Sequence, residues 1–527
     1  MRPKPSVSWN PESVSLVLTA DSSVMKNTAF TRHGATIGLG WDLSENTRIS
    51  LEGRSDGVYN AGFRGSGSNT IAKDDRDNRS ADLRFDTKTS DGRFTLSAHG
   101  YVVADVDELW QASPIVRNGA VPGPGTAADH NVRHQWINGF QIRPTAKLFE
   151  GNTLAGGFDG ERSVLRSKRF RQAVAGQPVI AQIVAQDNNQ TDTNYAFYIE
   201  DSQNLFDDKV TIRGGVRRTE GELAFDPTQY LALQLEKTVD YDATTWSIGG
   251  TFRPVEGWAF RAGASNGFRV PSATQLGADF TALGGGRIFG NPNLKPETSK
   301  QYEVGAIYAQ ANFDADLALF QNTITNRITT LARAPASLNT SDYINNPADL
   351  FIRGVELQTN TNLMGLMNPA SAWGWSLRAG GYYNFDMADK GAPATARTNN
   401  IQRMYRYEAS FNNRLARDKW ALEAIGILRG PVFYDTEENL LIPQGEPVGT
   451  YVHRKSPFWV FNLRGEYAIN EQFTLSATVS NLFDKNYHAL FIAEDKDPRL
   501  ADPRFQNGGN GTSAPGREFV LRLAARF

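Results

Sequence analysis

Apolar and polar residues alternate along most of this chain at the two-residue period of a β-strand, whose successive side chains point to opposite faces. In the final segment Phe519, Leu521, Leu523, Ala525 and Phe527 share one face, while Glu518, Arg522 and Arg526 lie on the other. Taken alone, that strand fits a half-buried soluble sheet as well as a membrane wall. The same alternation recurs from the start. Ala35, Ile37, Leu39, Trp41 and Leu43 share a face, and Ser44-Glu45-Asn46 turns into the next strand. Ala81, Leu83 and Phe85 lead through Asp91-Gly92 to Phe94, Leu96 and Ala98. Tyr195, Phe197 and Ile199 pair with Val210, Ile212 and Val216, and Trp246, Ile248 and Phe252 with Trp258, Phe260 and Ala262. Further pairs run through Tyr302, Val304, Leu357, Tyr383, Leu422, Phe461 and Leu475.

About twenty strands emerge, including a short run at Ser13–Ala20, within the range of outer-membrane barrels. Short turns alternate with long polar stretches such as Ser55–Asn78 and the segment ending near Arg133, both of which read as loops. Loops that long are unusual in compact soluble domains, and the asymmetry is that of a membrane barrel. A sandwich of this size would divide into domains, but no linker-like shift in composition appears. Propellers and β-helices would show a fixed sequence repeat, which is absent. Trp41, Trp136, Trp246, Trp258, Trp373, Trp375, Trp420 and Trp459 sit at or near strand ends, where an indole prefers the lipid–water boundary. The pattern therefore predicts an all-β fold, a transmembrane antiparallel β-barrel with short periplasmic turns and long extracellular loops.

Composition changes this picture little but removes rivals. With 55 Lys and Arg against 57 Asp and Glu the chain is near neutral, unlike a dedicated nucleic-acid binder. It has no cysteine, so thiolate metal sites, disulfides and thiol nucleophiles are excluded. A mean hydropathy of −0.44 is compatible with a barrel, which needs only alternate residues apolar. No secretory leader is recognisable after Met1 in the sequence given.

Candidate chemistry is sparse. His130 and His134 have metal-ligand spacing for a helix, but they fall in a stretch read as a loop beside a strand and lack the Glu of HExxH. Lys73-Asp-Asp-Arg-Asp77 mixes cations among its carboxylates and reads as a solvated loop, not a calcium site. Gly284–Gly286 lacks the Lys of a phosphate loop. His99 and His488 have no nucleophile at matching depth, so neither enzyme activity nor a metal or cofactor is expected. The loops carry rings and guanidinium groups suited to stacking and charge-assisted hydrogen bonds with a ligand: Tyr59, Phe63, Arg64, Trp110, Arg117, Tyr230, Phe280, Arg287, Phe289, Tyr343 and Tyr434.

Several stretches carry more than pattern. Asn266-Gly-Phe-Arg-Val-Pro-Ser272 resembles the segment that ends a central strand in TonB-dependent outer-membrane receptors, and Gly290–Gly305 is similar to the family's next segment. Ile352–Leu357, Asn481–Tyr487 and the terminal strand ending at Phe527 match in the family's order. The resemblance spans roughly Gly34 to Phe527 and is strongest after Asp192. It implies residence in the outer membrane of a Gram-negative bacterium, contact with outer-membrane lipid, and uptake of a scarce metal chelate, most often a ferric siderophore. It implies too that Phe519, Leu521, Leu523 and Phe527 are read by the barrel assembly machinery.

The family places a signal peptide and a plug domain before a barrel of roughly 22 strands. Neither precedes Met1 here, and the Gly62–Gly67 stretch that resembles a plug motif lies between barrel-like strands. The expectation is therefore partial N-terminal strands at 1–33, a barrel at 34–527, and no plug, signal peptide or first two strands. Coupling to the TonB complex would require a plug, and insertion of the chain alone would be poor. A passive pore and a truncated fragment are the alternatives.

Overall fold

The structure is a computed structural model that describes residues 6–15, 30–62, 73–112, 128–172, 181–235, 238–281, 286–335, 339–389, 401, 404–433, 454–455, 457–485, 487 and 516–525. Among these residues a 21-stranded sheet forms one antiparallel meander in chain order. It begins with Ser6–Ser15 beside Phe30–Ser44 and ends with Phe473–Ser480 beside Glu518–Ala525. The very short Ala181–Ile183 lies against Asn152–Gln172 as a side branch. No helix of the described residues is long and apolar enough to cross a membrane, and the strands carry the crossing instead.

The two faces of the sheet divide as the alternation requires. On one face large apolar residues stand bare: Phe197 is 62% exposed, Ile248 57%, Val304 54% and Leu521 74%. A protein dissolved in water would bury them, whereas a wall facing lipid presents them. The other face is polar and paired across neighbouring strands. Arg217 meets Asp159 at 2.6 Å, Tyr101 donates to Glu161 at 2.6 Å, Arg429 lies 3.1 Å from Glu408, and Arg261 joins Glu303 and Asp316. Rings on this face lie flat over glycines of the adjoining strand. A Cβ on Gly157 would meet the Tyr198 ring at 2.1 Å, and one on Gly354 the Phe320 ring at 2.5 Å.

The strands extend further than the apolar pattern suggested. Within Ser55–Asn78, residues 55–62 and 73–78 are strand, because Thr47–Gly62 and Lys73–Lys88 remain paired beyond their greasy halves. Likewise Phe94–Ala112 and Ala128–Ala146 run through the stretch read as loop. Once clear of lipid, neither face needs apolar residues, and cross-strand charge pairs sustain the ladder. Thus Lys73–Asp77 opens a strand, and His130 and His134 lie within one. At the start of the chain, the predicted run from Ser13 is the end of a strand that begins at Ser6, with a register shift between Asn10 and Ser13. Residues 16–20 of the first predicted strand lie outside the described residues.

At the end of the sheet with the long connections, two of them fold into a small sheet of their own. Asp279–Thr281, Arg287–Phe289, Thr340–Asn345 and Ile328–Ala332 pair in that order, the middle pairing being parallel. Below it Leu223, Ala273, Leu276, Leu294 and Ile328 form a core, with Phe225, Val239, Tyr241 and Tyr343 packed around them. Burying each such leucine or isoleucine stabilises the cap by roughly 1.5–3 kcal/mol.

Candidate functional site

The cap owes its position to local sequence chemistry. After Trp258–Arg269 the chain leaves the ladder at Val270-Pro271, where proline offers no donor. Ser272 then caps the helix Ala273–Gly277 through a capping box with Gln275. Asn266 holds the point where the neighbouring strand parts: its Oδ1 accepts from the Trp246 amide at 2.7 Å and its Nδ2 donates to the Thr244 carbonyl at 3.2 Å. The return is equally specified. Leu294 drops into the core, the Lys295 amide donates to Asn345 at 2.7 Å, and Glu297 binds both Arg269 and the Ile328 amide at 2.6 Å.

A buried clasp ties the cap to wall strands far away in sequence. Asp129 and Arg169 are wholly buried and paired, and Arg171 adds a second guanidinium 2.6 Å from Asp129. The Arg169 Nη1 donates on to the Thr281 carbonyl at 2.9 Å. Close by, the 184–190 segment is held by Thr274 Oγ1 accepting from the Asn188 amide at 3.0 Å and by Gln190 accepting from the Ala273 amide at 3.0 Å. Asp187 faces Arg133 at 3.5 Å, and burial pushes its carboxyl above the usual range. Burial also raises the Tyr343 phenol.

Four of the residues singled out from the sequence meet in this cap. Phe280 is buried and Tyr343 packs on the core, so both build the cap. Arg287 forks onto Asp279 at 2.8 and 2.9 Å and stacks on Phe289, with Arg333 covering the same ring at 4.0 Å. Arg333 itself forks onto Asp342, whose carboxyl it holds below the usual range. Tyr230 stands apart, 58% exposed at a positive φ of 65°.

Tyr59 and Trp110 lie on strand extensions, not in the cap. Tyr59 stacks on His33 at 5.0 Å and donates to Asp77 at 2.6 Å. Trp110 stacks on His130 at 3.7 Å. Phe63, Arg64, Arg117 and Tyr434 lie outside the described residues, as does Phe527, while Phe519, Leu521 and Leu523 stand exposed on the final strand.

Sequence reasoning missed Asp129, Arg169, Arg171 and Arg333. The four basic residues Arg166, Lys168, Arg169 and Arg171 close together on an alternating strand were the available signal, but Asp129, the partner of Arg169 and Arg171, lay in a stretch read as loop. No group of three or more His, Asp or Glu among the described residues is arranged to hold a metal ion. Among the described residues of the cap no nucleophile meets a base; the arrangement suits recognition by rings and charges.

Comparison with known proteins identifies the family and the fold. Residues 9–482 match the family described as TonB dependent receptor-like, beta-barrel. An iron-regulated outer membrane virulence protein of Vibrio cholerae is 38% identical over 86 residues, 16% of this chain and 13% of that protein. The vitamin B12 transporter BtuB of Vibrio vulnificus is 26% identical over 252 residues, 48% of this chain and 34% of its own. The matches therefore span well under two thirds of these relatives. The ferric citrate transporter FecA in its unliganded form superposes with a TM-score of 0.74 at 13% identity, covering 95% of this chain and 71% of that one.

Proposed function

Since this chain belongs to the TonB-dependent receptor β-barrel family, an outer-membrane family of transporters and receptors and not of enzymes, we propose that it forms the wall and extracellular cap of an uptake receptor for a scarce metal chelate, a ferric siderophore first among them. The observation that carries this reading is the folded cap at the extracellular end, anchored across the wall by the Asp129–Arg169–Thr281 clasp. Anchored loops present rings and guanidinium groups in fixed positions, so less ordering entropy is lost when a rigid anionic ligand binds. Tyr230, Arg287 and Phe289 are the described residues nearest such a role, with Phe63, Arg64, Arg117 and Tyr434 as further contacts, whereas Tyr59 and Trp110 share the outer face of the wall with Asp77 and His130. The relatives' names favour iron, and cobalamin is the runner-up. Uptake is energised through the TonB complex wherever a plug domain accompanies the barrel.

Titration of the purified protein with ferric catecholate, hydroxamate and citrate chelates and with cobalamin, followed by intrinsic tryptophan fluorescence, tests the reading. Saturable quenching by an iron chelate at micromolar concentration or below is expected. Silence towards all four, together with large steady conductance in planar bilayers, would instead establish a passive pore.

A further inference from the structure

Between Thr238–Phe252 and Trp258–Arg269 the wall divides towards its extracellular end. These two strands pair only from Phe252 opposite Phe260 to Ser247 opposite Ser265. On their other sides both ladders continue, to Thr238 opposite Ala224 and to Arg269 opposite Glu297. Asn266 caps the split, its side-chain amide standing in for a strand residue: it accepts from the Trp246 amide and donates to the Thr244 carbonyl. Backbone groups alternate sides along an antiparallel strand. Those of Asp240 and Asp242 therefore point as the Trp246 amide does, into the split, and have no hydrogen-bond partner among the described residues. The edge is held from behind, because Val239 and Tyr241 pack on the core of the cap and Tyr241 donates to Asp192 at 2.7 Å. An edge fixed in strand geometry loses little entropy on pairing and is a template for a further strand.

The side chains beside this edge select what can add to it. Glu220 stands opposite Asp242 and Glu222 opposite Asp240, like charges directly across the ladder, which costs stability. Arg218 serves only the first pair, at 3.3 and 2.7 Å. Glu222 and Asp240 are exposed and have no ion-pair partner among the described residues. Such a row repels an acidic strand and leaves the edge open to a basic one. We propose that the Thr238–Thr244 edge takes up an extended, lysine- or arginine-bearing segment of another protein as an added β-strand, its backbone bonding to Asp240 and Asp242 and its alternate cations lying over Glu222 and Asp240. Trp246, 41% exposed at the lipid–water boundary, places the edge just outside the membrane, within reach of a soluble partner. The site does not rest on the chelate reading.

The test is fluorescence anisotropy of a labelled peptide of alternating lysine and threonine, eight residues long, titrated with the full chain in detergent micelles. Two further peptides serve as comparisons: one with glutamate in place of lysine, and one N-methylated at every residue, which keeps the charges but has no backbone donor. Saturable binding of the lysine peptide is expected, with hydrogen exchange of 238–244 slowed in the complex. The glutamate peptide should not bind. The N-methylated peptide should bind about tenfold or more weakly, a comparison that needs no variant to fold. E222Q/D240N should weaken binding of the lysine peptide by a similar factor. Absence of binding, equal binding of the lysine and glutamate peptides, equal binding by E222Q/D240N and the unaltered chain, or slowed exchange elsewhere but not in 238–244 would overturn the proposal. Equal binding of the N-methylated peptide would overturn it too, by revealing charge attraction without an added strand.

Discussion

Asp129 is the residue on which the cap turns, because its fully buried carboxylate is shared by two guanidinium groups. Removing one partner of a buried ion pair leaves the other charge uncompensated, typically at about 3–5 kcal/mol. D129A should therefore free the cap while leaving the wall folded. Hydrogen exchange should rise sharply in 273–294, with heat-modifiable gel migration of the barrel unchanged. Gly354 is constrained by shape instead: a Cβ would sit 2.5 Å from the Phe320 ring and 2.8 Å from the Asn384 Oδ1. G354V should cost about 1–3 kcal/mol from overpacking, read as a lower midpoint in urea unfolding. The sequence made Gly354 visible only as part of a family motif, and the ring above it comes from a strand some thirty positions earlier. Residue-level roles of this kind depend on register, which alternation does not specify.

Elements were more legible than residues, and their limits show why. Wherever lipid demands an apolar face the strands stood out, as at Tyr195–Ile199 or Trp258–Ala262. Beyond the lipid that demand ends, and the outer halves of Lys73–Lys88 and Ala128–Ala146 read as loop although their ladders continue. The cap was illegible for a related reason, since its three-residue strands are too short for any period to declare itself. Its small sheet leans on paired charges exposed to water, which gives it a pH response. Arg333 lowers the Asp342 carboxyl in the folded protein, so this pair stabilises the cap above the unfolded value of 3.8 and ceases to as pH falls through the depressed folded value. Asp187 has the opposite sign: burial raises its carboxyl, favouring the folded cap at low pH and opposing it once ionised. D187N should accordingly slow hydrogen exchange of the 184–190 segment at neutral pH, and R333A should abolish the loss of protection in 328–345 on acidification below 4. Exchange profiles of the two variants between pH 3 and 7 check both.

For the whole molecule, the division between a bare apolar face and a charge-paired polar face predicts which insertions of charge are tolerated. I248R, on the lipid side, should cost about 2–4 kcal/mol if it lies near the midplane, whereas Q301R on the polar face should cost far less. Folding yield into lipid vesicles, scored by heat-modifiable migration, separates the two. This global division is what the alternating sequence conveyed best, because a membrane imposes it on every strand at once. The clasp has a consequence of a different order, in time. Arg169 and Thr281 are 112 residues apart, and every strand between them must be threaded before they can meet. The clasp thus reports completed passage of the hairpins between Arg169 and Thr281. A protein stalled part-way through insertion would carry its extracellular end unlatched and open to protease, and a cleavage time-course near Thr281 would read the progress of insertion as a clock.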